Sequence, residues 1–317
     1  MTKCIFALAY TRLIPLVMCV FLGCVPMAYA QVDVPGFGSK VPETGNDLVQ
    51  VSALCDESAI VPGEESTLAV RFQIHPGWHI YWKNAGDTGA PTELSISAPA
   101  GVVPGKVKWP RPKVFRSDGD ASFGYSEETM LFVPFTVPKE FKGDTISITI
   151  NAAWLVCKRS CLFGQRQWTV ELPIAKPGEV ITRQRDLPNS NTAQYMKMLP
   201  KPISQELGVR AQVVPGKNGP HGMLRIEGPA IPNTQVLFMP EHTPGVRYQG
   251  QVPFTSRFVA GSFLIEVPLE VVPGDALGKP LRAAGLIGLG SGQSSPSLEC
   301  SVKISPVEPG NKKSISN

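Results

Sequence analysis

Beyond the first thirty residues, no stretch approaches the ~20 consecutive apolar residues that a helix needs to cross a bilayer. That excludes a polytopic helical membrane protein. Charge is also scarce, at 18% of residues. With Lys3 and Arg12 set aside, 28 of the 30 basic side chains remain against 26 acidic ones, so there is no electrostatic footprint for nucleic acid. Histidine is limited to His75, His79, His221 and His242, and none stands at zinc-finger spacing from a cysteine. Cysteine is sparse too. Of seven in the chain, Cys4, Cys19 and Cys24 fall in the first thirty residues, leaving Cys55, Cys157, Cys161 and Cys300.

What those thirty residues contain is a leader pattern. A basic start is followed by an apolar run from Leu13 to Met27 and by Ala28-Tyr29-Ala30, the small-x-small form of a cleavage site. The run is too short and too interrupted by proline for a membrane anchor. Phe21-Leu22-Gly23 before Cys24 makes a poor lipoprotein box. Residues 1–30 are therefore expected to be a cleaved signal peptide and the product to be exported, soluble and periplasmic. In an oxidising compartment four cysteines permit disulfides, in three possible pairings.

Glycine and proline are abundant, at 30 and 31 residues, and they separate short alternating runs. Leu68, Val70, Phe72 and Ile74 form one such run, and Leu131, Val133, Phe135 and Val137 another. A third is Ile146, Ile148, Ile150, Ala152 and Trp154. Period two means strands with one buried face. The spacing predicts an all-β protein of two immunoglobulin-like sandwiches, over 47–175 and 202–306. A polar linker, 176–201, is expected between them, with a short helix near Thr192–Met198. Residues 307–317 are expected to be a disordered tail.

The two cysteines of "AAWLVCKRSCLFGQ" stand at the end of the third run. If Ile146 through Trp154 and Val156 face the core, Cys157 points away from it, and Cys161 begins the return towards Trp168, Val170 and Leu172. Both sulfurs then sit at a turn near solvent, with Lys158 and Arg159 favouring a thiolate between them. So small a ring gains little loop-closure entropy, which makes it a poor staple and a labile kind of cystine. On residue chemistry alone three readings stay open: a redox couple, a structural hairpin disulfide in a binding module, and a thiol pair holding Cu(I).

Four blocks narrow the choice: "GWHIYWKNAGDTGAPT" (Gly77 to Thr92), "VKWPRPKVF" (Val107 to Phe115), "FGYSEETMLFVPFTV" (Phe123 to Val137) and "WLVCKRSCLFG". In this order they resemble the amino-terminal periplasmic domain of the thiol:disulfide interchange protein DsbD, in its copper-sensitivity-suppressor-type relatives. The resemblance covers about 47–175 and implies an immunoglobulin-like domain whose cysteine pair relays electrons. It implies that Cys157 and Cys161 are the redox pair, with Cys161 favoured as the attacking thiol. It also places an aromatic cap in the segment Asp120 to Tyr125, from Phe123 or Tyr125, and an aromatic near the cysteines at Tyr81. His79 shares Tyr81's face, opposite to Trp78, Ile80 and Trp82, and which set is buried stays open. The family's proline and acidic residue after the second cysteine are replaced by Leu162-Phe163-Gly164-Gln165. The membrane conduit and thioredoxin domain of full-length members are missing, so the implied partners are a separate membrane electron donor and thioredoxin-like periplasmic proteins. No metal or small-molecule cofactor is expected.

Cys55 continues the face of Val49, Val51 and Ala53, while Cys300 shares one with Leu298, Val302 and Ile304. Each reads as a small apolar residue of its own sandwich, so two free buried thiols are expected rather than a bridge.

Overall fold

The computed structural model describes residues 42–203, 208–216, 221–272, 280–290 and 292–304. The expected signal peptide and the expected tail lie outside them. The first half of the chain lays down ten strands. They are β1 (Val49–Cys55), β2 (Glu65–Ile74), β3 (His79–Gly86), β4 (Glu93–Ser97) and β5 (Val103–Pro104). Then follow β6 (Lys113–Ser117), β7 (Asp120–Ser126), β8 (Glu128–Thr136), β9 (Thr145–Cys157) and β10 (Cys161–Pro173). One sheet has the order β1-β2-β8-β5 and the other β10-β9-β3-β7-β6, with β4 pairing with β9 beside β3.

Alternation explains how the two sheets meet. Val70 and Phe72 of β2, Leu131 and Val133 of β8, and Ile148, Ile150 and Trp154 of β9 all turn inward into one core. Phe72 and Trp154 meet edge to face at 6.0 Å across that core.

A second set of strands follows the helix α1 (Asn191–Lys197). These are β11 (Lys201–Pro202), β12 (Arg210–Pro215), β13 (His221–Pro229), β14 (Val236–Pro240) and β15 (Val246–Tyr248). The chain continues with β16 (Phe254–Thr255), β17 (Arg257–Val259), β18 (Ser262–Val271), β19 (Arg282–Leu289) and β20 (Ser297–Lys303). They form the sheets β11-β20-β19-β14-β16 and β12-β13-β18-β15, with β17 on β18. Phe238, Phe263, Ile265 and Ile287 fill the space between. The protein is therefore all-β, with two sandwiches.

Segment 176–201 is not a free tether. Asp56 and Glu57 at the end of β1 are buried, and Arg185 answers both. It forms an ion pair with Asp56 and places Nη2 2.8 Å from Glu57. Two uncompensated carboxylates would be costly inside a protein, so the charged run Arg183–Asp186 is held against the first sandwich by need. Tyr195 of α1 donates its hydroxyl hydrogen to the Glu128 carbonyl at 2.9 Å, fixing the helix beside β8.

The described residues fall within one compact unit, and the two sandwiches pack against each other along a seam. Met239 of β14 and Leu286 of β19 pack into the core cluster of the first sandwich. Arg111, only 1% exposed, donates Nη1 to the carbonyls of Ser295 (3.2 Å) and Pro296 (3.1 Å) and Nη2 to that of Gly290. Burial lowers its pKa to about 10, which leaves it charged at neutral pH. Lys83 of β3 reaches Glu241 at 2.6 Å across the same seam.

Candidate thiol-disulfide site

Strand β9 positions the site. Its inward residues, from Ile146 to Val156, are buried at every second position, so Leu155 and Cys157 point to the outer face. The chain turns over Lys158, Arg159 and Ser160, the Lys158 N–H donating to the Ser160 carbonyl at 3.1 Å. It returns with Cys161 directly opposite Cys157. Their Cα atoms are 4.2 Å apart and the two sulfurs are bonded. Directly opposite residues of an antiparallel pair share a face and bring their Cβ atoms to ~5 Å, which is why this register admits a cross-strand bridge.

On its other side Cys157 faces His79 of β3, which in turn faces Ser126 of β7. Cys161, Cys157, His79 and Ser126 thus form one row across four strands, and Lys113 Nζ closes it with a hydrogen bond to the Ser126 hydroxyl at 2.8 Å. The two sulfurs differ in access. Cys161 is exposed, whereas Cys157 is 4% exposed and packs with Tyr81 and Ala85. Tyr81 meets the His79 ring edge-on at 5.2 Å, and His79 stacks on Phe115 of β6 at 4.4 Å. The loop after β3 closes over Tyr81. Gly89 has φ +93 and lies so near the phenol ring that any side chain there would overlap it. Burial lowers the His79 pKa and raises that of Tyr81. At neutral pH the cover over Cys157 is uncharged. His79 Nε2 is buried and has no hydrogen-bond partner among the described residues.

The structure thus brings His79 and Tyr81 to the cysteines, and it answers which face of β3 is covered: both are. Ile80 and Trp82 lie in the sandwich core, and Tyr81 lies beneath the loop. Phe123 and Tyr125 are a correction. They point from β7 into the core, on the opposite side of the sheet from the disulfide. Phe123 meets Trp82 edge to face at 6.2 Å, and the Tyr125 hydroxyl donates to the Pro110 carbonyl at 2.7 Å. Asp120 is exposed at the far end of β7, six residues from Ser126 and so ~20 Å of extended chain from the cysteine row. On the cysteine side of the sheet the ring from this region is Phe115 of β6, which stacks on His79. The outward alternation of Lys113, Phe115 and Ser117 was the available signal.

Cys55 and Cys300 are both free and belong to different sandwiches. Cys300 is buried, and Cys55 is half-buried with its thiol 3.5 Å from a Glu57 carboxylate oxygen. Burial pushes each thiol up to about 12, with carboxylate charge adding to the effect. Folded protein at pH 8 should therefore hold roughly one thiolate in ten thousand at either position and resist alkylation. After denaturation without reductant, mass analysis should count two alkylated cysteines. A count of zero, with a Cys55–Cys300 peptide, would refute this assignment.

Among the described residues no helix is long and apolar enough to cross a membrane, and no group of three or more His, Cys, Asp or Glu side chains could hold a metal ion. Comparison with known proteins adds a family match and a fold match. Residues 46–173 match the family model of "Thiol:disulfide interchange protein DsbD, N-terminal". The crystal structure of the N-terminal periplasmic domain of ScsB from Proteus mirabilis superimposes with a TM-score of 0.50 at 16% identity, covering 83% of this chain and 96% of that one. A protein of unknown function from Porphyromonas gingivalis W83 covers 81% of the chain at 14% identity, with a TM-score of only 0.22. No curated protein matched. Residues 46–173, whose longest hairpin carries Cys157 and Cys161, are thus similar to the DsbD amino-terminal domain family, and the chain shares its fold with the ScsB domain.

Proposed function

We propose that this protein is a periplasmic thiol–disulfide exchange protein, passing reducing equivalents through Cys157 and Cys161 between a membrane electron donor and thioredoxin-like partners. One observation carries the reading: the cystine joins an exposed sulfur to a buried one. In the reductive step a donor thiolate attacks Cys161 Sγ. A donor–Cys161 disulfide forms, the Cys157–Cys161 bond breaks, and Cys157 leaves with the electron pair and takes a proton. The donor's second thiol then attacks its own sulfur in the mixed disulfide and releases Cys161. The donor ends as a cystine and this protein as a dithiol, two electrons and two protons richer. Delivery runs the same steps backward against the cystine of a thioredoxin-like partner.

The staple reading is weaker. A five-residue ring gains only about 2 kcal/mol in the chain-entropy relation. The hairpin it would hold is already paired in register from Cys157↔Cys161 to Thr145↔Pro173. Equilibration against a graded glutathione and thioredoxin series, quenched by alkylation, tests the proposal. The pair should titrate within the range that thioredoxin-like proteins span. A cystine that stays intact in folded protein under millimolar dithiothreitol would return it to a structural role.

A further inference from the structure

Large apolar side chains in this protein are mostly covered, and among the described residues only Phe163 and Phe258 present exposed aromatic rings. Phe163 is 58% exposed and stands two residues beyond Cys161 on β10. Residues i and i+2 of a strand share a face at ~7 Å, so the ring sits beside the one accessible sulfur and points the same way. Across the ladder it faces Leu155, which is half-buried against the Tyr81, Ala85 and Cys157 cluster. An apolar strip therefore borders the cystine on the side towards the hairpin's body. On the other side stand Lys158 and Arg159, both exposed, and among the described residues neither pairs with a carboxylate.

A mixed disulfide leaves no freedom about what covers this strip. Sulfur–sulfur bonding at ~2.05 Å brings the partner's backbone within a few ångströms of Cys161, and its surface must then lie on Phe163 and beside the two cations. We propose that Phe163, with Lys158 and Arg159, is the docking surface for the exchange partner, and that it selects a dithiol protein whose reactive cysteine is bordered by apolar residues and carboxylates. The inference rests on the exchange function proposed above and adds the chemistry of the partner. Buried aromatic contact at the centre supplies affinity, while the cations steer encounter and discriminate against basic partners.

The test uses full-length Cys157→Ser protein, whose Cys161 thiolate releases thionitrobenzoate from activated disulfides, with the adduct mapped to Cys161 by mass spectrometry. Three probes are compared: a short peptide with an activated cysteine among Leu, Phe and Glu, the same peptide with Lys for Glu, and activated mercaptoethanol. The Glu peptide should react about tenfold faster than the Lys peptide, and the gap should close in molar salt. Adding Phe163→Ala should slow both peptides about fivefold and leave mercaptoethanol unchanged. Exchanging Lys158 and Arg159 for Glu should reverse the peptide preference. Peptide rates unaffected by Phe163→Ala, or an equal loss with mercaptoethanol, would overturn the docking surface while exchange itself stands. Failure of Cys161 to react with any probe would overturn the exchange function and the docking surface together.

Discussion

Reduced Cys157→Ser protein is expected to attack small disulfides about a hundredfold faster than reduced Cys161→Ser protein, since thiol reactivity follows thiolate character and access. The first variant keeps the exposed sulfur, flanked by Lys158 and Arg159. The second keeps a sulfur that is 4% exposed and packed against Tyr81 and Ala85. Stopped-flow release of thionitrobenzoate from its symmetrical disulfide measures both rates, with peptide mapping to exclude Cys55. Tyr81→Ala in the Cys161→Ser background should recover part of the difference, because the ring under the Gly89 turn is what shuts Cys157 away. Equal rates in the two single variants would remove the asymmetry on which the order of attack depends.

Phe123→Ala and Tyr125→Ala should each cost about 3–5 kcal/mol of stability, the range for emptying an aromatic from a packed core. Both rings are fully covered, Phe123 against Trp82 and Tyr125 with its hydroxyl held by the Pro110 carbonyl. For a protein of this size the thermal midpoint should fall by about 10 °C. Reaction of the cystine with small thiols, measured well below that midpoint, should not change. Tyr125→Phe should lose only about 1 kcal/mol, the worth of one hydrogen bond. Faster thiol attack at unchanged stability would restore these rings to the cysteine face. Phe115→Ala is the contrasting variant: its ring is half-buried over His79, so access should rise with little loss of stability.

The two faces of β9 were legible because one is apolar without exception from Ile146 to Val156 and ends one residue before Cys157. Alternation says which residues share a face, and a one-sided strand also says which face is in. Strand β3 defeats that logic. Tyr81 is covered by a loop and Ile80 and Trp82 by the sandwich, so both sets look alike in sequence. In β7, Ala121, Phe123 and Tyr125 do share a face, but the resemblance drew attention to aromatics and not to the side they occupy. Phe115 reaches His79 from the far side of β7, a neighbourhood that only sheet order creates. The polar run at 183–186 read as a linker for a similar reason. Its buried partners Asp56 and Glu57 lie more than a hundred residues earlier, and nothing local announces them.

The seam at Arg111 bears on how freely these two sandwiches could be traded among proteins. A fragment ending after β10 would turn the guanidinium out of its ring of three carbonyls and bare the hollow that Met239 and Leu286 fill. It would also free Lys83, only two residues from Tyr81 on the strand that covers Cys157. Each half is thus part of the other's solvent shield. A swapped neighbour would have to reproduce the Gly290, Ser295 and Pro296 carbonyls in place to keep the Arg111 charge satisfied.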